Sequence, residues 1–398
     1  MDRAALLITG DGNTMGTLEA VTSRPLLLLI AGAKGAIGST LALASQILRH
    51  QPEVITPYLT TADLWENAGA SATVHVAGWD VSQRPMAAAL AAHRVVPEAL
   101  WQGMQDTLNQ IQVAAAPEGG LSVSDQVDQL GRDIDTFREA YPEAQPVMIN
   151  LLPACSECCL GDDDDAEAMA GGRFPDLAYA RAAIQAGIPV VNFTPNDLGD
   201  LTLAEMAAQK GLPLVGRDGK TGQTYFKVVL ASALKARQLR VDGWYSLNIL
   251  GNADGRNLMD PDCARGKLAN KTELLDDVLG YRVGEAYGES AHKVHIDYYP
   301  PRGDAKEAWD VIDIKGLFGL PMSIRVNLQG RDSILAAPMA LDLARWVVLL
   351  QAVGRGGAVP ELGFYFKKPE GERPATTYED QLRDLKALEA FCRQKLAT

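Results

Sequence analysis

Cysteine is scarce in this chain of 398 residues: there are five, an odd and low number that does not suggest a disulfide framework and agrees with a reducing compartment. Basic charge is in deficit, with 37 Lys and Arg against 50 Asp and Glu and a net charge of −13 at pH 7. That field repels nucleic acid and anionic membrane surfaces, so neither is expected as a partner. A phosphorylated ligand would have to be held by a local cluster of cations and backbone donors working against the global charge. No long apolar run is uninterrupted. The most apolar stretch, Pro25 to Leu48, is broken by Lys34 and by glycines, whereas a membrane span needs about 20 continuous apolar residues. A basic segment leading into an apolar core and a small-residue cleavage site is also missing, so no secretory signal is expected and a cytoplasmic location is the default reading. No internal repeat is visible.

What is present is enough apolar material, 47% of residues, to bury a sizeable core and fill two domains. Pro25 to Ile30 reads as a strand that breaks at glycine and gives way to a helix over Ser39 to Leu48. A second strand, Thr73 to Ala77, ends at Gly78-Trp79-Asp80. Helices are expected between Met86 and Gln112 and over Asp125 to Ala140. Three apolar runs follow, each after a helical pattern: Val147 to Leu152, Pro189 to Asn192 and Leu212 to Val215. Strands alternating with helices at this spacing predict βαβ units and a mostly parallel sheet. From Tyr225 the character changes. A helix over Phe226 to Lys235 leads to alternating runs at Gly243 to Leu250, Lys293 to Tyr299, Trp309 to Lys315 and Met322 to Gln329, which predict an open sheet with one solvated face. Helices over Ala336 to Val353 and Tyr378 to Lys395 end the chain. The reading is a nucleotide-type α/β domain over residues 1–224, a sheet-rich insertion over 225–333, and C-terminal helices over 334–398 that return to the first domain. The acidic run Asp162 to Asp165 is expected in a solvated loop.

Three clusters carry chemistry. Gly32-Ala33-Lys34-Gly35-Ala36-Ile37-Gly38-Ser39-Thr40 lies where the first strand becomes a helix; glycines there let the backbone approach a pyrophosphate while the helix N-terminus supplies amide donors. The spacing is G-x-x-G-x-x-G, and a tight turn without a ligand is the plainer alternative. Asp80, after the second strand, is placed to take a ribose hydroxyl. Gly216-Arg217-Asp218-Gly219-Lys220-Thr221-Gly222-Gln223-Thr224 puts a second set of donors ahead of a helix, suited to a phosphate or else to simple capping. Asn248 to Asn257 is followed by Arg265, Lys267 and Lys271, the last two sharing a helix face where like charges repel unless an anion lies between them. Lys306 and Lys367 complete the candidate cations.

At these residues the chain resembles the myo-inositol-1-phosphate synthase family. The resemblance is carried by the 216–224 loop, by Leu-Gly-Asn-Ala-Asp-Gly-Arg-Asn-Leu at 250–258, by Lys267 and Lys271 before Asp276-Asp277, by Gly-Asp-Ala-Lys at 303–306 and by Asp-Ser-Ile-Leu-Ala-Ala-Pro at 332–338. It extends to Gly38-Ser39-Thr40, Gly78-Trp79-Asp80, Asn192-Phe193-Thr194-Pro195 and Phe366-Lys367-Lys368-Pro369, all in the family's order. The resemblance implies a Rossmann-like doubly wound parallel sheet with an inserted α+β catalytic and oligomerisation domain, commonly assembled as a homotetramer. It implies NAD-dependent conversion of D-glucose 6-phosphate to 1D-myo-inositol 3-phosphate: oxidation at C5, an enolate at C6, closure of C6 on the C1 aldehyde, and reduction of C5 by the stored hydride.

By position in the family's motifs, Lys267, Lys306 and Lys367 resemble the enolisation and ring-closure group, with Asp218 and Lys271 beside them. Crowded lysines depress one another's pKa, so one of them is expected to shuttle a proton. Lys271, Thr221, Gly222, Gln223 and Thr224 resemble the substrate phosphate cradle, with Asn248 and Lys306 also on the substrate. Gly32, Ala33, Gly35, Ala36, Ile37, Gly38, Asp80, Ala154 and Thr194 would hold the NAD, and Asp218, Thr221, Asn252, Asp254, Asp304, Asp332 and Ser333 would border it. Lys220 and Lys368 are expected to point elsewhere. Arg217 stands where the family commonly has an acid, Ala253 where a second Asn is common, and Cys155-Ser156-Glu157 where an Asn-Thr-Glu type loop is expected; these bear on cofactor affinity more than on chemistry. Cys155, Cys158 and Cys159 have no second cysteine pair and read as incidental, which leaves a divalent or monovalent cation requirement open. Two other functions stay open: a paralogue cyclising another sugar phosphate, and a catalytically silent NAD-binding protein, against which retention of all four lysines argues.

Overall fold

The computed structural model describes residues 17–65, 73–118, 120–154, 175–198, 201–252, 255–256, 259 and 274–397. Its centre is strand β1 (Leu26–Ala31), whose six residues are all buried. An aliphatic run without a polar face requires cover on both sides, as in parallel sheets. Leu26, Leu28 and Ile30 point into one core, and Leu27, Leu29 and Ala31 into another, the period-2 alternation of a strand. β2 (Val74–Asp80), β3 (Gln112–Ala115), β4 (Gln145–Asn150), β5 (Val190–Asn192) and β6 (Leu214–Gly216) complete an all-parallel sheet in the order β3-β2-β1-β4-β5-β6. This is the doubly wound order, with its reversal between β1 and β4.

Helices cover both faces. α1 (Ala36–His50), α2 (Met86–His93) and α7 (Asp332–Ala352) pack on the first core, while α3 (Val123–Ala140), α4 (Pro175–Gln185) and α5 (Leu201–Gln209) pack on the second. α6 (Gly222–Ala236) leaves this sheet and lays Val228, Ala231 and Leu234 on a third core against Val241, Trp244, Ile312 and Ile314. That core belongs to the sheet of β7 (Arg240–Leu250), β8 (His292–Tyr298), β9 (Ala305–Lys315) and β10 (Pro321–Arg331), ordered β10-β9-β7-β8. Its β7–β8 pair is parallel and the other pairs are antiparallel. One face is solvated, as the alternation predicts, and β10 has no fully buried residue. The expected divisions after residues 224 and 333 fall inside α6 and α7. α8 (Tyr378–Leu396) closes the chain, with Thr377 Oγ1 accepting from the Asp380 N–H as its N-cap.

The structure adds to two expectations. Helices do lie between Met86 and Gln112, as α2 and shorter helical turns, but they are followed by β3, a half-exposed edge strand of Gln-Val-Ala-Ala that pairs Ala77 with Gln112 and Asp80 with Ala115 and was not expected. Four short side chains at a sheet edge carry too little periodicity to announce a strand. The long helix α7 begins at Asp332, four residues before the expected start at Ala336. Among the described residues α7 alone is long and apolar enough to cross a membrane, with a mean hydropathy of 1.6, and most of it is buried in the core. There its Asp342 accepts hydrogen bonds from the N–H and Oγ1 of both Thr60 and Thr61.

Candidate active site

β1 ends at the switch point of the sheet, and the chain turns there through Gly32 at φ +84. The N–H groups of Gly32 and Ala33 both donate to the Trp79 carbonyl at 3.0 Å, which holds the turn against the end of β2. Lys34 N–H donates to Asp80 Oδ2 at 2.7 Å and Ser82 N–H to Asp80 Oδ1 at 2.8 Å. The carboxylate of Asp80 therefore braces the glycine turn and does not line the cavity in front of it. Gly35 is the N-cap of α1 and offers no side chain, so the N–H groups of Ala36, Ile37 and Gly38 find no acceptor among the described residues. They open onto a cavity of about 370 Å³ lined by Gly32, Gly35, Ala36, Ile37 and Gly38.

The opposite wall comes from the 216–224 loop and α6. Residues 217–220 pair with 365–368: Arg217 N–H donates to Lys368 O at 2.8 Å, Lys367 N–H to Asp218 O at 2.8 Å, and Lys220 N–H to Tyr365 O at 2.7 Å. This places Lys367 Nζ 2.6 Å from Asp218 Oδ1 inside the cavity. Lys306, from the start of β9, lies 3.2 Å from Asp332 Oδ2 at the start of α7. Lys306 and Lys367 thus reach the same cavity, each ion-paired with an aspartate. The backbone N–H groups of Gly222, Gln223 and Thr224 in the first turn of α6 find no acceptor among the described residues. Asn252 Nδ2 donates to Asp304 Oδ1 at 3.0 Å, and burial, helped by the charge of Asp332, pushes the Asp304 carboxyl above its ordinary range. Asn248 is fully buried on the cavity wall, and neither of its side-chain polar atoms has a hydrogen-bond partner among the described residues.

Of the residues expected at the site, the cavity also brings together Ala154, Thr194, Thr221, Gln223, Thr224 and Ser333. Ala33 and Gly222 contribute backbone to the two turns without lining the wall, since Ala33 is packed in the core and Gly222 sits against Asp332 and Leu335. Lys267, Lys271 and Asp254, with the cysteines at 155, 158 and 159, lie outside the described residues. Among the described residues no group of three or more His, Cys, Asp or Glu could hold a metal. Lys220 does point elsewhere, but into the protein: it is buried, and its Nζ donates to Gly363 O at 3.0 Å and Gln381 Oε1 at 2.5 Å.

Sequence reasoning missed His93 and the segment Leu151-Leu152-Pro153. His93 ends α2 and donates from Nε2 to Lys34 O at 2.8 Å at the cavity edge, and a lone histidine after an alanine-rich helix carries no signal. The segment after β4 was findable, because ligands in doubly wound sheets sit outside the carboxyl ends of the strands flanking the switch point.

A doubly wound sheet with a donor turn at its switch point, faced across one cavity by a second donor turn and ion-paired lysines, defines a Rossmann-like α/β enzyme. The family model described as Myo-inositol-1-phosphate synthase matches residues 222–333. Inositol-3-phosphate synthase 1 of Bacteroides thetaiotaomicron is 34% identical over 92% of this chain and 89% of its own length. The probable inositol 3-phosphate synthase isozyme 3 of Arabidopsis thaliana is 28% identical over 67% of this chain and 58% of its own. Among solved structures, inositol-3-phosphate synthase of Caenorhabditis elegans superimposes with a TM-score of 0.77 at 19% identity, over 94% of this chain and 86% of that one. A myo-inositol-1-phosphate synthase-related protein from Thermotoga maritima gives 0.71 at 19%, over 93% and 98%. The chain belongs to the inositol-3-phosphate synthase family.

Proposed function

We propose that the protein cyclises D-glucose 6-phosphate to 1D-myo-inositol 3-phosphate with NAD held against the glycine turn. The observation that carries this reading is the meeting, in one cavity, of two helix N-termini with open N–H groups and two lysine–aspartate pairs drawn from distant parts of the chain. The residues fit the cofactor: three free donors at α1 suit a pyrophosphate, with Thr194 and the 151–154 segment alongside. NAD, when bound, supplies the hydride acceptor and donor that the cyclisation needs.

The remaining work belongs to the chain. The first turn of α6 binds the phosphate through its backbone donors, with Lys271 as the added clamp. Lys367 and Lys306 present N–H groups to oxygen atoms that gain negative charge as the enolate forms and the ring closes, where a fixed ammonium in a dry site stabilises most. Asp218 and Asp332 hold those ammonium groups in place and lie close enough to exchange a proton with them. Lys267 would be the third member. Asn252 and Asp304 border the nicotinamide, and Asn248 holds a substrate hydroxyl. The solvated face of the second sheet carries Tyr245 and Trp309, 45% and 50% exposed, with Leu247, Ile249 and Val311 around them. That apolar centre supports assembly through this face, as a homotetramer. The test is direct: incubate the protein with NAD and glucose 6-phosphate and identify the product by NMR. A cyclitol phosphate is expected; turnover of a different hexose or heptose phosphate alone would make it a paralogue, and tight NAD binding without turnover a sensor.

A further inference from the structure

On the side of α6 turned toward the second sheet lies a chain of buried polar groups that the mechanism above does not use. Asp310 of β9 accepts three hydrogen bonds: from Gln223 Nε2 at 2.9 Å on Oδ2, and from Trp244 Nε1 at 2.7 Å and Ser246 Oγ at 2.5 Å on Oδ1. Lys227, one turn after Gln223, donates from Nζ to Ser246 Oγ at 3.1 Å and to His292 Nε2 at 2.7 Å, and lies 5.3 Å from the centre of the Trp244 ring. All six side chains are buried. Burial pushes the Lys227 ammonium down to about 8, against the opposing pull of the Asp310 charge.

A carboxylate facing three donors can only accept, and an indole nitrogen can only donate. Gln223 must therefore turn its NH₂ to Asp310. That leaves Oε1, which takes no hydrogen bond from any described residue, on a residue that lines the cavity. A carbonyl oxygen is the wrong partner for a phosphate oxygen and the right one for a hydroxyl.

We propose that Gln223 reads a hydroxyl of the ligand: Asp310, with Lys227 behind it as counter-charge, locks the amide so that Oε1 accepts a hydrogen bond from the sugar, while the phosphate is left to the backbone donors of the same turn. This rests on the sugar-phosphate reading above and narrows the expectation that Gln223 belongs to the phosphate cradle, confining its part there to the backbone. Asp310 and Lys227 are positioning residues, since neither touches the cavity. Gln223 and Asn248, whose side-chain polar atoms have no partner among the described residues, together make this cavity selective for a polyhydroxylated ligand.

The test uses the full chain saturated with NAD and two probes, D-glucose 6-phosphate and inorganic phosphate, titrated by calorimetry. Asp310→Asn places an amide donor against donors. Trp244 cannot adapt, so the cheaper relief is for Gln223 to flip and show its NH₂ to the cavity. The expected result is glucose 6-phosphate affinity weakened ~10-fold, the effect of losing about one hydrogen bond to a buried acceptor, with inorganic phosphate affinity unchanged. Gln223→Met, which removes the acceptor without touching Asp310, should show the same split, and thermal unfolding midpoints identify variants that remain folded. Unchanged glucose 6-phosphate affinity in both folded variants would overturn the proposal. So would equal weakening of both probes, which marks a merely structural network. If the unmodified protein holds inorganic phosphate but not glucose 6-phosphate, the sugar-phosphate reading itself falls and takes this one with it.

Discussion

Lys306 and Lys367 come from the second sheet and from the segment after α7, yet each ends beside an aspartate in the same cavity. Replacing either by Met should lower kcat by about 10² to 10⁴, the range for removal of an oxyanion partner or proton-transfer group. NAD affinity should survive, because the donors at α1 are untouched; fluorescence titration with NAD beside single-turnover assays checks both halves. Wild-type turnover in either variant would remove that lysine from the reaction. Lys220 leads to a different outcome. It is sealed against Gly363 and Gln381 with no carboxylate partner among the described residues, and burial pushes its ammonium down to about 7 from 10.5. Between those values the unfolded chain binds a proton that the folded chain has released, so this group's contribution to stability rises with pH through that window. The unfolding midpoint of the wild type relative to Lys220→Met should accordingly be more favourable at pH 9.5 than at pH 7. A constant difference would show that Lys220 stays charged in the fold.

Among the elements, the glycine turn ahead of α1 separates two kinds of glycine. A Cβ on Gly38 would lie 2.6 Å from the carbonyl oxygens of both Gly32 and Ala33, backbone that cannot yield without opening the turn. On Gly35 a Cβ meets only the Gly32 oxygen, at 3.2 Å, and a larger side chain there extends into the cavity. Gly35→Val should therefore weaken NAD binding more than ~10-fold, about 1.4 kcal/mol or more, with an unfolding midpoint within a few degrees of wild type. Gly38→Val should lose both binding and stability. Calorimetry and thermal unfolding on the two variants separate these outcomes, and NAD affinity unchanged by Gly35→Val would move the cofactor away from this turn.

At the scale of the whole molecule, a cofactor that is oxidised and reduced within one active-site visit leaves no net trace. Absorbance at 340 nm should stay nearly flat while product forms, and NADH accumulating in step with product would mean an ordinary dehydrogenase. The exposed apolar centre of the second sheet belongs to the same scale. Trp309→Glu should lower the assembly mass measured by light scattering, because a carboxylate at the middle of an interface is desolvated without a partner. An unchanged mass would place the assembly contacts elsewhere.

What the sequence determined by itself was local. Leu26 to Ile30 without a polar residue, followed by glycines and then a helical period, admits little except a buried strand, a tight turn and a helix. The alternation at Gly243 to Leu250 and in the later strands likewise admits little except a half-solvated sheet. The 216–224 loop and the lysines at 306 and 367 were legible because their residue types and order match a known family. β3 was not legible, since its Ala-rich edge is made a strand only by pairing with β2. The partners were not legible either. That Asp80 braces the turn, that Lys306 and Lys367 each meet an aspartate, that Lys220 is buried and that Asp310 holds Gln223 all depend on residues 26 to 161 positions apart. Local pattern records which face of an element is apolar; which polar group meets which across the core is set by how the elements pack, and only the folded chain specifies that.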